Sequence, residues 1–173
     1  GTLPFAHLAR SAFVAVTQLR GAERIGAISA KARDSFLGTI RTVSHTFTED
    51  ALSVIDKTLS WEGFVAKYGH LRPGTYDINS PRYDADPETF LRPLITQAEQ
   101  ALPHEDTSGL WLAERPAFLK ALADIGLPSD VEEVEAFLKR AIEGREHAKF
   151  IFSRSLSDAI EALGEVGEAL GLD

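Results

Sequence analysis

Apolar residues recur at three- and four-residue spacing along most of this chain, and this periodicity restricts the possible folds more than any other feature. Such spacing places apolar side chains on one face of an α-helix, which then packs against other helices. The first series predicts a helix from Pro4 to about Gly21 and consists of Phe5, Leu8, Ala9, Ala12, Phe13, Val16 and Leu19. No segment alternates like a strand for more than a few residues. The sequence therefore predicts an all-α protein, a single irregular helical bundle of about six to nine helices.

Residues that favour helix ends divide the rest of the chain into helices. Serine, threonine and aspartate accept hydrogen bonds from the free N–H groups of a first helical turn, and glycine commonly follows the last turn. Helix starts are predicted at Ser29, at Thr46 or Thr48, at Ser60, at Asp86 with Pro87, and at Pro116. The second helix is predicted to run to about Val43, and later helices to end at Gly69 and Gly126.

The last third of the chain predicts a long C-terminal helix or a pair of helices. Ser129-Asp130-Val131-Glu132 has the spacing of a capping box, which begins a helix. The apolar series that follows consists of Val131 or Val134, Leu138, Ile142, Phe152, Leu156, Ile160 and Leu163, and a break near Ser153 to Ser157 would divide it. Arg145 and Lys149 occupy two positions where the period requires apolar residues. A buried unpaired cation is costly, so both side chains must meet acids, face a wet cleft or reach water.

Composition excludes several classes of function. A chain of 173 residues suits one domain with a substantial core. The net charge of -8 and the pI near 5.1 argue against nucleic acid or an anionic membrane surface as a partner, because both require clustered positive charge. The absence of cysteine excludes disulfides and fits a reducing compartment, and no apolar run has the length that spans a bilayer. We therefore predict a cytoplasmic protein that binds neither nucleic acid nor a membrane.

The chain contains no methionine. A natural start of translation would supply one, so Gly1 is either native to a longer chain or the remnant of a cleaved tag. We predict that residues 1–173 are a single helical domain, an internal piece of a longer polypeptide.

A polar segment from Tyr68 to Tyr83 separates the two helical halves and predicts a long ordered loop. It has no apolar period, and its glycines and prolines permit or impose sharp turns. Ordered polar loops on helical scaffolds commonly carry binding and catalytic groups. The alternative is a rigid connector whose charged residues cap neighbouring helices.

An imidazole and a carboxylate in this loop are candidates for acid-base catalysis. His70 with Asp77 would form an oriented imidazole, although their spacing does not establish a hydrogen bond. The five histidines show neither the helical pair nor the cysteine partners of metal motifs, so no metal site is predicted.

Cations in the loop and in the C-terminal helix are candidates for binding an anion. Guanidinium groups hold phosphate or carboxylate through two hydrogen bonds, so such a set would bind an anionic group within an acidic protein. The candidates are Arg72, Arg82, Arg145 and Lys149. The alternative is that Arg145 and Lys149 pair with Glu146, Asp77 or Glu62 and hold the loop against the long helix.

Three segments carry a resemblance to a known family: the loop from Tyr68 to Tyr83, Gly1 to Ala6, and Arg145 to Phe150. The most specific part is Gly69-His70-Leu71-Arg72-Pro73-Gly74-Thr75-Tyr76-Asp77. With them, nearly the whole chain resembles the helical central or linker domain of phosphoenolpyruvate synthase-like enzymes, which are related to pyruvate phosphate dikinase and rifampin phosphotransferase. In that family a helical segment lies between an ATP-grasp domain and a swivelling domain with a phosphorylated histidine. Phosphate passes from ATP to that histidine and then to a small-molecule acceptor.

The resemblance implies a role in binding the acceptor or the phosphoryl group. His70 or Asp77 would deprotonate an acceptor hydroxyl, and His70 would not be the mobile phosphorylated histidine. The implied binding residues are Arg72, Tyr76, Arg82, Arg145 and Lys149. The fragment would bind no cofactor and be inactive alone, whereas the parent enzyme would use ATP and Mg²⁺, with the two neighbouring domains as partners. The alternative is a structural spacer or docking domain with no ligand site.

Overall fold

The computed structural model describes residues 2–100 and 108–172, and every regular element in these ranges is a helix. The α-helices are α1 (Thr2–Arg24), α2 (Ala30–Gly38), α3 (Val43–Ile55), α4 (Trp61–Tyr68), α5 (Pro87–Phe90), α6 (Arg92–Gln100), α7 (Ser108–Asp124) and α8 (Val131–Ala169). A single 3₁₀ turn, Tyr83–Ala85, precedes α5. The predicted all-α fold and its number of helices are confirmed. In the ranges described, no helix is both long and apolar enough to cross a membrane.

Several predicted helix starts are confirmed by their capping hydrogen bonds. The Ser29 hydroxyl accepts from the Ala32 N–H at 3.1 Å, and the Ser60 hydroxyl accepts from the Gly63 N–H at 3.0 Å. Asp86 caps α5 in the same way, with Pro87 at the first helical position. These starts could be predicted because a short polar side chain satisfies an N–H group only a few residues away.

Other predicted boundaries are wrong. Pro116 lies inside α7, which begins at Ser108 and thereby includes Trp111. The Trp111 ring is buried and packs against the Phe36 ring at a tilt of 40°, with 4.5 Å between the ring centroids. Burial of such a large side chain offsets the loss of the hydrogen bond that proline removes. Helix α3 begins at Val43, before Thr46 and Thr48.

The predicted ends of α1 and α2 and the start of α8 also need correction. Helix α1 continues past Gly21 to Arg24, and α2 ends at Gly38, before Val43. The capping side chain of α8 is Asp130, which accepts from the Glu133 N–H at 2.9 Å, so the serine-glutamate capping box does not form. Helix α8 then runs without a break through residues 153–157.

The chain divides into two compact units, and each has its own core. Unit 1 comprises Gly1–Val43 and Pro103–Ala148, and unit 2 comprises Ser44–Leu102 and Lys149–Asp173. Helix α8 contributes its first part to unit 1 and its last part to unit 2. That residues 1–173 form one domain of a longer enzyme stays a prediction.

Unit 1 buries apolar side chains from α1, α2, α7 and the first part of α8. The largest of its fully buried side chains are Leu19, Phe36, Phe118 and Leu138. Tertiary packing of this kind supplies most of a helix's stability in a protein.

The core of unit 2 consists mainly of aromatic side chains from α3 and α4, and it also includes Leu91 and Ile95. Phe47 packs edge-on against the rings of Phe64 and Tyr68, 5.2 Å and 4.7 Å away. The Tyr68 hydroxyl donates to Asp50 at 2.7 Å, so this buried phenol keeps a polar partner. Tyr68 is the last residue of α4, and the predicted polar loop therefore starts from a rigid core position.

Candidate functional site

The loop after α4 has a closed path, because its two ends are joined by backbone hydrogen bonds. Tyr83 N–H donates to the Leu71 carbonyl at 2.8 Å, and Asp84 N–H donates to the Gly69 carbonyl at 3.0 Å. Gly69 is required at this point: a Cβ there would lie 2.6 Å from the Val65 carbonyl oxygen and 2.7 Å from the Asp84 Cβ. The loop is thus ordered, as its glycine and proline content predicts.

Arg72 holds this loop against α8 through a set of hydrogen bonds that we call the Arg72 network. Its guanidinium donates to the Asp77 and Ser80 carbonyls in the loop, at 3.3 Å and 3.1 Å. It also donates to the Ser157 hydroxyl, at 3.1 Å from Nη2, and to Glu161 Oε1 at 2.5 Å, both on α8. The Arg72 side chain is only 2% exposed. Because its donors are used within the protein, Arg72 acts as a structural residue here.

A polar pocket of about 190 Å³ lies beside this network, and we call it the His70 pocket. Helix α4 supplies its apolar wall, and the loop and α8 supply charged groups. Its lining residues are Val65, Ala66, His70, Arg82, Asp84, Arg154 and Asp158. The pocket lies entirely within unit 2.

His70 is the most unusual side chain of this pocket. It is only 3% exposed, and its ring packs edge-on against Phe150 with 4.8 Å between centroids. Neither Nδ1 nor Nε2 has a hydrogen-bond partner among the described residues. Leaving a buried polar group unpaired costs about 1–3 kcal/mol, so such groups are uncommon unless they have a function.

The surroundings of His70 lower its pKa. Burial is the main cause, because it disfavours the charged imidazolium, and the positive charges of Arg154 and Arg82 add to the effect. The Lys67 carbonyl, which approaches the ring without meeting the geometry of a hydrogen bond, and Asp158 act in the opposite direction but do not outweigh it. His70 is therefore neutral at neutral pH, with one N–H donor and one bare nitrogen that accepts.

The two guanidiniums of the pocket are held by different partners. Arg82 donates to both carboxylate oxygens of Asp84, at 2.9 Å and 2.7 Å, and to Asp158 Oδ1 at 2.8 Å. Arg154 Nη2 donates to the Lys67 carbonyl at 2.9 Å and the Ala66 carbonyl at 3.3 Å. A cation in this position also complements the negative end of the α4 dipole.

The structure brings only some of the predicted site residues together. His70 and Arg82 line the pocket, whereas the buried Arg72 is used in its network. Tyr76 is 78% exposed, and Lys149 is exposed on α8. These two residues are not among those that line the pocket.

Asp77 and Arg145 have partners of their own. Asp77 Oδ1 accepts from the Asn79 N–H at 3.0 Å, and neither ring nitrogen of His70 contacts it, so the hypothesised His70–Asp77 pair does not form. The carboxylate of Asp77 therefore has its hydrogen-bond partner two residues away, within its own turn. Arg145 lies in unit 1, where it pairs with Glu146 and its guanidinium lies 5.6 Å from the Phe13 ring centroid.

Sequence reasoning missed the part of the site that comes from α8. Four polar residues at helical spacing form one face of that helix and meet the loop: Arg154, Ser157, Asp158 and Glu161. This spacing of three, four and seven residues was a usable signal, because it places all four side chains on the same side of a helix. Asp84, next to the end of the loop, gave no comparable signal.

Comparison of the chain with protein-family models, with curated proteins and with solved structures finds no match. Fold and site together define an all-α protein with a polar pocket around a buried, neutral histidine.

Proposed function

We propose that this chain is the acceptor-binding helical domain of a phosphoenolpyruvate synthase-like phosphotransferase of the cytoplasm, and that its ligand occupies the His70 pocket. Two observations on one segment support this proposal. The Gly69 to Asp77 segment resembles that family, and the same segment supplies the buried histidine of the pocket. The observation that carries the proposal is the pair of unpartnered nitrogens on His70, which a bound molecule would satisfy.

In this proposal His70 acts as the base. Its bare nitrogen accepts the proton of an acceptor hydroxyl as the hydroxyl oxygen attacks the phosphorus of a phosphohistidine on the swivelling domain. The phosphorus–nitrogen bond breaks, and its electron pair returns to that histidine. The lowered pKa of His70 keeps the ring neutral and able to accept the proton at neutral pH.

The guanidiniums have supporting roles. Arg154 donates from Nη2 to the two carbonyls at the end of α4, and its other N–H groups are directed to neither of those carbonyls, so they are available to oxygen atoms of the acceptor. ATP and Mg²⁺ would be bound by the ATP-grasp domain. The described residues contain no group of three acidic, histidine or cysteine side chains that could hold a metal, and we assign no residue of this chain to Mg²⁺ or ATP.

A structural spacer is the second candidate, and the Arg72 network favours it. Arg72 is the most buried cation of the loop, and its guanidinium donates to the Ser80 carbonyl and the Ser157 hydroxyl. This geometry is what a loop requires if its role is to join helices rigidly. The two functions are compatible, since a rigid loop also holds His70 in place.

An NMR titration of the 173-residue chain tests binding at His70. The ring carbon-bound proton signals of His70 would be followed during addition of pyruvate, phosphoenolpyruvate, inorganic phosphate and D-glucose. We expect at least one of these compounds to shift the His70 signals in a saturable way, with His70→Leu abolishing its binding. The exposed His7 provides the control, because His7→Gln should leave binding unchanged. If no compound moves the His70 signals of a folded sample, acceptor binding is wrong and the spacer function remains.

A further inference from the structure

The charge of the His70 pocket restricts what it can bind. Two guanidiniums and two carboxylates line it, so their formal charges cancel. Arg82 is already bonded to both carboxylates through three of its N–H groups. A phosphate or carboxylate ligand would therefore meet Asp84 and Asp158 at close range, and would have to compete with them for Arg82.

The hydrogen-bonding capacity of His70 adds a second restriction. A neutral imidazole offers one donor and one acceptor. A carboxylate accepts hydrogen bonds only, so it would leave the bare nitrogen unsatisfied. A phosphate dianion has one O–H donor for that nitrogen, but it would bring two negative charges into a pocket lined by Asp84 and Asp158. A hydroxyl group both donates and accepts, and a molecule with neighbouring hydroxyls satisfies both nitrogens.

The size and the apolar wall of the pocket give a third restriction. A cavity of about 150 Å³ holds a molecule of the size of benzene, so about 190 Å³ suits a small ring with substituents. Val65 and Ala66 form an apolar surface that complements the C–H face of such a ring.

We infer that the His70 pocket takes an uncharged molecule of monosaccharide size that carries several hydroxyl groups, in preference to phosphate or a 2-oxo acid. This inference rests on the proposed function and names the class of its acceptor. Asp158 determines the preference, because its carboxylate both neutralises Arg82 and repels anions.

A competition between hydroxylated and anionic probes tests the inference. The His70 ring signals of the 173-residue chain would be titrated with D-glucose, D-ribose and myo-inositol, and separately with inorganic phosphate and pyruvate. We expect at least one hydroxylated probe to shift them at concentrations where phosphate and pyruvate do not. The inference is overturned if either anion binds more tightly than all three hydroxylated probes, and in that case the pocket still binds ligands as proposed. If none of the five probes shifts these signals in a folded sample, both the proposed acceptor binding and this inference are wrong.

Asp158→Asn provides the sharper test. This change releases one Arg82 N–H group from its carboxylate and removes one negative charge from the pocket. We expect phosphate to bind the variant at least about tenfold more tightly than the unaltered chain, since a charged N–H donor becomes available and a repelling charge is removed.

Glu161→Gln is the matched control, because it removes the same charge from the same helix at a residue that does not line the pocket. Phosphate affinity should be unchanged in this variant. Asp84→Asn repeats the test at the second carboxylate if Asp158→Asn does not fold. An equal gain of phosphate binding in Glu161→Gln, or no gain in either aspartate variant, would contradict the role of the two aspartates.

Discussion

Arg72 and His70 lie two residues apart in the same loop and are both buried, yet their polar atoms are used in opposite ways. The Arg72 guanidinium donates to two loop carbonyls and to Ser157 and Glu161. The His70 ring has no hydrogen-bond partner on either nitrogen among the described residues. Residue type and burial alone therefore do not show how a polar side chain is used, whereas the count of satisfied hydrogen bonds separates Arg72, whose donors are used within the protein, from His70, whose nitrogens are not.

Arg72→Ala should cause the largest effect. It removes charge-assisted bonds that join the loop to α8, and it takes away the Arg72 donor of the Ser80 carbonyl and of the Ser157 hydroxyl. We expect a loss of about 3–5 kcal/mol in the free energy of unfolding. Urea unfolding followed by circular dichroism would measure it. Arg72→Lys retains the charge but not the planar fork, so its stability should lie between those of the unaltered chain and Arg72→Ala. A loss below about 1 kcal/mol in Arg72→Ala would contradict the structural role.

Gly69→Ala should have the next largest effect. The added Cβ would lie 2.6 Å from a backbone oxygen and 2.7 Å from Asp84 Cβ, so the ends of the loop must separate. We expect a loss of about 1–3 kcal/mol. Gly21→Ala is the matched control: it lies in α1 with nothing within 4 Å of the new atom, and it should stabilise the chain by about 0.5–1 kcal/mol. Thermal unfolding of the two variants would show shifts of opposite sign.

His70 should make stability depend on pH in a smaller but specific way. Its pKa in the folded chain lies below the ordinary value of 6.5, so the folded chain binds the proton more weakly than the unfolded chain. The contribution of His70 to the free energy of unfolding is fully present above about pH 6.5. It is lost progressively as the pH falls from there through the pKa of His70 in the folded chain. The free energy of unfolding, measured between about pH 5 and 8, should therefore decrease less steeply toward acid in His70→Leu. Equal slopes in the two proteins would show that His70 does not titrate as its surroundings require.

Glu161→Gln should have the smallest effect and refines the comparison within the Arg72 network. The Glu161 side chain is 47% exposed, so solvent screens its bond to the buried Arg72. We expect a change within about 1 kcal/mol in urea unfolding, well below that of Arg72→Ala. A loss as large as that of Arg72→Ala would mean that the ion pair, and not the set of neutral acceptors, holds the loop.

Local signals in the sequence allowed part of this molecule to be predicted. The starts of α2, α4 and α5 depend on a side chain and an N–H group three residues apart, and all three were predicted. The predicted helix start at Pro116 is wrong because burial of Trp111 and Phe118 stabilises a helix that begins before this proline and continues past it. Local rules fail where packing against distant residues contributes more free energy than the local preference.

The candidate site shows the same division. The loop was predicted from its glycines, prolines and charged residues, and His70 and Arg82 do line a pocket. Arg145 and Lys149 are predicted site residues because they interrupt an apolar period, but neither lines the His70 pocket. The α8 residues that complete it, Arg154 and Asp158, lie more than seventy positions from Arg82 along the chain, a distance that single-sequence patterns do not bridge.

The sequence by itself determined the all-α class, most of the helices and the ordered polar loop, because periodicity, caps and turn residues act over a few positions. The tertiary structure decided which of the loop's charged residues are structural and which face a pocket. That choice depends on which groups of α8 stand opposite each side chain. Ser157 and Glu161 stand opposite Arg72 and satisfy it. His70 meets the Phe150 ring, which provides no hydrogen-bond partner for its nitrogens.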